Sequence, residues 1–568
     1  MAVTKQSMSR AVVGASKWKT LREYAANTGR VSFSLIADSN GLHTDFGWTR
    51  GLARAIRSSG IPCFGTGLLG SRHNRLKYVA GGGQEWAFSR YTQASAISGT
   101  ATTKTKVGIE LTNINTSGTT VTVASGTDFT NYSWHSGDRM IIYNSSGALV
   151  GDFTIASRTD ATHVELTASP GTLTGASATV TGAAGASSNS TVPSAYARRN
   201  NIPQNWLPFG NAMVYHTGGT CFAVSSFFMP IYGPIPLNGQ LTHSSIMAKS
   251  SAGKAGLLEI YGATAQIADT AAGTFTAALQ TTAYSVSGGS DGDLVVARNG
   301  FSTDADRTAN TTYNNREYLM CCQGNATGDS GTGANLYMHA TNANLNRGFA
   351  LNAFMCRGGM SAYDMAEAAR FLDTLTWEAY IYAVADQHAA GAGGDGTVRH
   401  CFIINTGFND ASESATSYDA TNSSSTKAGH KANVQDLMAT IRARWNTYRG
   451  ANADRTELYF MLMPSHCISD APTTPGTANR HAQEASVRLY RQAQAEIAGG
   501  TYNTFFVDLQ KLWGTEAYSI LNNSRFTYTK DSDVLHLMPG GYDFLAAGAI
   551  TALNSAAYGH SFLGMETL

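Results

Sequence analysis

Apolar positions near the start of the chain change period once. Val31-Ser-Phe-Ser-Leu-Ile36 alternates apolar and small polar residues, Ala37-Asp-Ser-Asn-Gly41 is turn chemistry, and Phe46, Trp48, Leu52 and Ile56 then recur at near-helical intervals up to Gly60. A strand, a turn and a helix in that order begin an α/β fold. From about residue 95 to 195 the texture is different. Short strand-like runs at 119–124, 139–143, 149–155, 163–166 and 178–181 alternate with Ser-Gly, Gly-Asp and Asn-Ser-Ser-Gly turns. Strands at this spacing, without helical period between them, predict a small β barrel or sandwich. Residues 196–355 continue β-rich, with runs at 212–215, 221–228, 256–261, 293–297 and 336–340 among Gly/Asn/Thr-rich loops, as in a sandwich or jelly-roll layer.

Helical period returns at 361–387. The near-continuous apolar run 398–404 follows and ends at Gly407-Phe-Asn-Asp410. Val434, Leu437, Met438, Ile441 and Trp445 form a helical stripe; 457–463 and 504–509 read as buried strands, with helices at 483–498 and 544–553. Strands separated by helices predict a parallel sheet covered on both faces. The organisation this suggests is an N-terminal segment (1–24), an α/β domain split into 25–90 and 356–568, a small inserted β module (95–195) and an inserted β-sandwich-like domain (196–355).

Composition narrows the function classes. The 568 residues carry a formal charge of +1 and only 14% charged residues, against a typical figure of about 25%. Such a chain has no bulk attraction for phosphate backbones or anionic lipid, so neither nucleic acid nor a membrane is the expected partner. No apolar run approaches the roughly 18 residues of a membrane span, and the basic start lacks the apolar core of a secretory signal. Seven cysteines lie scattered without CxxC pairs, which speaks against a disulfide framework or a structural metal site. No cofactor and no metal is expected.

In an open α/β sheet the reactive groups sit on loops beyond the carboxyl ends of the strands. Four loops carry suggestive residues: Ala37-Asp-Ser-Asn40, Arg357-Gly-Gly-Met-Ser361, Gly407-Phe-Asn-Asp410, and Asp533-Val-Leu-His536. Taken singly, each has an ordinary reading as a turn, a cap or a loop histidine. In this order they resemble the four blocks of the SGNH (GDSL-like) hydrolase family. The resemblance implies a flavodoxin-like three-layer αβα domain and a serine esterase. Ser39 would be the nucleophile, His536 the base, and Asp533 the residue that orients the imidazole. The oxyanion donors would be the Ser39 and Gly359 N–H groups and the Asn409 amide. Ala37 replaces the usual Gly of the first block. Gly65, Gly67 and Gly70 lie nearer Ser39 than Gly359 does, but Gly359 opens a helix, where N–H groups point outward. His43 and His466, also near predicted strand ends, fit none of the four blocks and are read as lining or structural residues.

The segment 106–182, with its repeated Gly-Asp-then-strand punctuation, resembles small β modules of bacteriophage virion proteins. That resemblance implies a place on a phage particle, with other virion proteins and an acetylated host glycan as partners, and a homotrimer by analogy with phage receptor proteins. A secreted or cell-surface esterase is the alternative placement. The alternative function is a structural or receptor-binding virion protein on a non-catalytic SGNH scaffold.

Overall fold

A computed structural model describes the chain at 11–27, 30–41, 48–61, 348–356, 360–371, 398–412, 425–450, 456–466, 478–513, 527–529, 533–537 and 539–559. It also describes 109–126, 139–181, further strands between 65 and 345, and a few single positions. A six-stranded sheet organises the α/β part. Its strands are β1 (Val12–Val13), β2 (Arg30–Ala37), β3 (Gly348–Cys356), β4 (Val398–Thr406), β5 (Thr456–Pro464) and β6 (Thr504–Val507), in the order β1-β6-β5-β4-β2-β3. The pairs β3–β2, β2–β4, β4–β5 and β5–β6 are parallel, whereas β1 runs antiparallel to β6. The parallel strands, renumbered in chain order, give 2-1-3-4-5, the doubly wound order whose reversal falls between β2 and β4.

The expected parallel sheet is corrected to a mixed one, with one antiparallel strand at its edge. Its antiparallel edge comes from the N-terminal segment that the sequence reading set apart. Two residues, Val12 and Val13, show no period of their own; pairing with Val507 and Phe506 makes them a strand. All of Gly348–Cys356 but its last residue falls in the expected sandwich region 196–355, yet the strand pairs along β2 from Gly348↔Arg30 to Cys356↔Ala37.

Alternation within the strands explains the layers. Phe402, Ile404, Leu458, Phe460 and Leu462 face one way and meet α3 (Ala362–Phe371) and α5 (Lys427–Arg449). Cys401, Ile403, Tyr459, Met461 and Met463 face the other way. They meet α1 (Ala15–Asn27), α2 (Trp48–Ser58) and α8 (Pro539–Tyr558). The remaining helices are α4 (Phe408–Ser412), α6 (Ala478–Gly500) and α7 (Leu509–Trp513). A sheet apolar on both faces must be covered on both, and here helix residues share an apolar cluster with each face.

Between β2 and β3 the chain makes other structures. The strands at 109–117, 120–123, 139–143, 149–158, 163–166 and 173–181 form a closed six-stranded barrel. Its interior holds Leu111, Ile114, Val121, Met140, Ile142, Ile155, Val164 and Val180, and closure removes every edge. Two antiparallel sheets follow. Gly65–Gly70, expected to belong with 25–90, pairs instead with Leu336–Leu345, and Gly99–Thr102 pairs with Ala212–Tyr215. Cys63 bridges in parallel to Phe349. The chain thus leaves and re-enters the α/β part side by side, which is how a long insertion leaves a host fold undisturbed.

Candidate active site

The reversal between β2 and β4 brings two of the four sequence blocks together. Beyond Ala37 the chain turns into a 3₁₀ segment, Ser39–Gly41, closed by Gly41 N–H donating to the Asp38 carbonyl at 3.1 Å. Asp38 is buried, and its Oδ1 accepts from the Asn40 backbone N–H at 2.9 Å and from Asn40 Nδ2 at 2.8 Å. Such an Asp-centred turn lets a short loop satisfy its own polar groups while the strand end stays buried. Ser39 is thereby placed at the carboxyl end of β2. Asn503 is the one non-glycine residue with positive φ among the described residues. Ala37 in place of Gly therefore brings no backbone strain.

On the far side of the reversal, β4 ends at Gly407, whose φ is +145° and whose added Cβ would lie 3.2 Å from Ser465 Oγ. That hydroxyl accepts from Phe408 N–H at 3.2 Å. The tight turn points Asn409 back toward the Ser39 turn. Asn409 Nδ2 donates to Asp38 Oδ2 at 3.3 Å and to the Met360 carbonyl at 3.1 Å. It therefore ties three blocks together, and both of its N–H groups already have acceptors. To serve a reacting oxyanion it must share one of them, and the longer bond to Asp38 is the weaker.

Asp410 is fully buried beside it. Its Oδ1 accepts from Ala362 N–H at 3.0 Å and from His430 Nδ1 at 2.8 Å, and its Oδ2 from the Thr406 hydroxyl at 2.9 Å. Burial pushes this carboxyl up, but the His430 imidazole and the hydrogen bonds from Ala362 and Thr406 outweigh it and hold the group below its ordinary value. Ser361 caps α3 with Asp364: Ser361 N–H and Oγ donate to Asp364 Oδ2 at 2.8 and 2.9 Å. The N–H of the first residue of α3, Ala362, is thus satisfied by Asp410, and that of Asp364 by the Ser361 hydroxyl at 3.3 Å. Gly359, the donor expected at this helix terminus, lies outside the described residues. Gly65, Gly67 and Gly70 are engaged in the ladder to Leu336–Leu345.

The last block arrives on β7 (Asp533–Leu537), which pairs with Thr527–Thr529 and lies against the Ser39–Gly41 turn. Asp533 and His536 are at its start and near its end. Their side chains, like that of Ser39, lie outside what the structure describes. Leu537 is buried in one apolar cluster with Ala37 and Trp48. Tyr542, on the first turns of α8, donates its hydroxyl to Asn40 Oδ1 at 2.6 Å and meets Trp48 edge-on at 5.3 Å. His466 is buried edge-on to Phe408 at 4.8 Å, a packing residue under the β4 turn. His43 lies outside the described residues.

Asp38, Asp410, His430 and Tyr542 were not assigned roles from sequence. Asp38 and Asp410 sit inside quoted blocks. His430 had one signal: it lies four positions before Val434 on the buried stripe of α5, where a histidine needs a polar partner.

No family model matches the chain, and no curated protein matches it. Among solved structures, a peptidoglycan O-acetylesterase aligns over 97% of this chain and 100% of its own, at 13% identity and a TM-score of 0.40. A family two carbohydrate esterase from Clostridium thermocellum aligns over 59% of this chain and 98% of its own, at 9% identity and 0.21. An acetyl xylan esterase from the rumen bacterium Butyrivibrio proteoclasticus aligns over 61% and 91%, at 9% and 0.19. At this degree of overlap the likeness decides nothing about the chemistry, which rests on the residues.

Proposed function

We propose that the chain is an SGNH-type serine esterase that removes O-acetyl groups from a host cell-surface glycan as part of a phage particle. The observation that carries this reading is the meeting of the Ser39 turn, Asn409 and the entry to α3 at the order reversal of the sheet, with the strand bearing Asp533 and His536 alongside. In the proposed reaction the Ser39 hydroxyl adds to the ester carbonyl while His536 takes its proton. The tetrahedral oxyanion accepts hydrogen bonds from the Ser39 and Gly359 N–H groups and from the Asn409 amide. Collapse expels the sugar hydroxyl, which receives the proton from His536. Water then repeats the sequence on the acetyl-enzyme and releases acetate. Asp533 holds the imidazole in the accepting tautomer and stabilises its protonated form.

The test is hydrolysis of a short-chain aryl acetate by the purified protein. Ser39→Ala and His536→Ala should each cost about 10³-fold or more in kcat. Asp533→Asn should cost less, since the base survives. Activity should fall as pH drops through about 6–7, where an imidazole gains its proton. Turnover by Ser39→Ala at the wild-type rate would overturn the mechanism. The second reading, a binding protein on a silent scaffold, is favoured by the two acceptors that already engage the Asn409 amide. It predicts glycan retention with no acetate release in the same assay. Placement on a virion is tested by finding the chain in purified phage particles.

A further inference from the structure

Asp410 links elements that are remote in sequence. One of its oxygens holds Ala362 N–H at the start of α3 and His430 Nδ1 on α5, and the other holds the Thr406 hydroxyl at the end of β4. Its neighbour Asn409 reaches the Met360 carbonyl, two residues before Ala362. The spacing between the Asn409 amide and the start of α3 is therefore set twice, once directly and once through the Asp410 carboxylate. That carboxylate is in turn oriented by the single donor that is not on either piece, His430.

The hydrogen-bond pattern fixes which nitrogen of His430 carries the proton. Gln494 on α6 is fully buried, and its Nε2 lies 3.3 Å from the Thr406 carbonyl and 3.1 Å from His430 Nε2. Turning the amide over would set Oε1 against the Thr406 carbonyl, so Nε2 donates to both. His430 Nε2 is then the acceptor, and Nδ1–H is the donor to Asp410. The ring is further clamped by stacking on Tyr490, with centroids 4.4 Å apart and planes at 22°. Nothing in the proposed acyl transfer uses this Asp–His pair.

We infer that His430 is a positioning residue: through Nδ1–H to Asp410 it fixes the Asn409 amide relative to the start of α3, and so the geometry in which Asn409 meets a reacting oxyanion. The kinetic consequence rests on the esterase reading; the mechanical linkage does not.

Two substitutions separate positioning from packing. His430→Phe keeps a ring against Tyr490 and loses the donor. His430→Asn loses the ring but places an amide nitrogen near the Nδ1 position, so the bond to Asp410 can persist. A merely structural histidine makes Asn the worse replacement; a positioning one makes Phe the worse. The expected result is a kcat for His430→Phe lower by about 10- to 100-fold with KM nearly unchanged, and substantial recovery in His430→Asn. Should His430→Phe not fold around the unpaired carboxylate, the double variant Asp410→Asn/His430→Phe removes that charge and takes its place in the same comparison.

The same proteins give a readout that needs no turnover. Native-state hydrogen exchange at the Ala362 amide should be faster in His430→Phe than in His430→Asn, while the amides of β5 keep wild-type protection. Equal Ala362 exchange in both variants, or kcat ordered with Asn below Phe, would overturn the inference. Absence of Ser39-dependent ester hydrolysis by the wild type would instead overturn the esterase reading, and the exchange comparison would then decide the linkage alone.

Discussion

Gly407 and Asn40 show how single residues shape the turn region. At φ +145°, with Ser465 Oγ 3.2 Å from where a Cβ would stand, Gly407 is a position that an L side chain occupies only with strain. Gly407→Ala should destabilise the protein by more than about 1 kcal/mol, seen as a lower midpoint in urea with an unchanged slope. Esterase activity should fall further than stability does, because the displaced residue is two positions from Asn409. Tyr542→Phe removes one hydroxyl and leaves the buried Asn40 Oδ1 without its 2.6 Å donor. A lost partner of this kind costs about 1–3 kcal/mol. Wild-type stability in Tyr542→Phe would mean that the bond does not hold α8 to the Ser39 turn.

At the scale of elements, the closed barrel and the α/β sheet answer different problems. The barrel satisfies its own backbone by closure and fills its centre with its own side chains. Residues 106–182 made alone should therefore fold, giving a β-type circular dichroism spectrum and a cooperative melt. A disordered peptide would show that the barrel depends on its host. α3 and α5 have no such independence. Their buried residues, Met365, Ala366 and Ala369 on one and Val434, Leu437 and Ile441 on the other, belong to one apolar cluster with Phe402, Ile404 and Phe460. Cutting either helix free exposes that face, so neither can form stably alone.

For the whole molecule, the buried Asp410 gives stability a dependence on pH with a definite sign. Its folded carboxyl is held below its ordinary value. The contribution is fully present above the ordinary carboxylate value of about 4 and is lost as pH falls through the lower folded value. The melting temperature should accordingly fall in acid. Asp410→Asn should flatten that limb while lowering stability at neutral pH, since the amide can accept from Ala362 and His430 but carries no charge. An acid limb identical in both proteins would assign the effect to other groups. At this scale too, the adjacent entry and exit at Cys63 and Phe349 let the chain place a barrel and two further sheets between β2 and β3 without breaking the pairing of those strands.

What the sequence determined by itself was local. Alternation in Val31–Ile36 and the apolar run at 398–404 marked β2 and β4, and the stripe from Val434 to Trp445 marked α5, because periodicity reports how many faces of an element are buried. It also set the chemistry-bearing blocks in order, but the loop expected at Asp533–His536 is the strand β7, and Asn409 lies in the short helix α4. Pairing lay beyond the sequence. Neither Gly348–Cys356 nor Val12–Val13 stands out as a strand until β2 and β6 are beside them. Polar satisfaction was equally hidden, because Asp410, His430 and Gln494 are partners only in space, 20 and 64 positions apart along the chain. The tertiary structure alone decided the strand order that sets Ser39 next to Asn409. The physical reason is that burial is a property each segment carries, whereas a hydrogen-bond partner is supplied by whatever segment the fold brings to it.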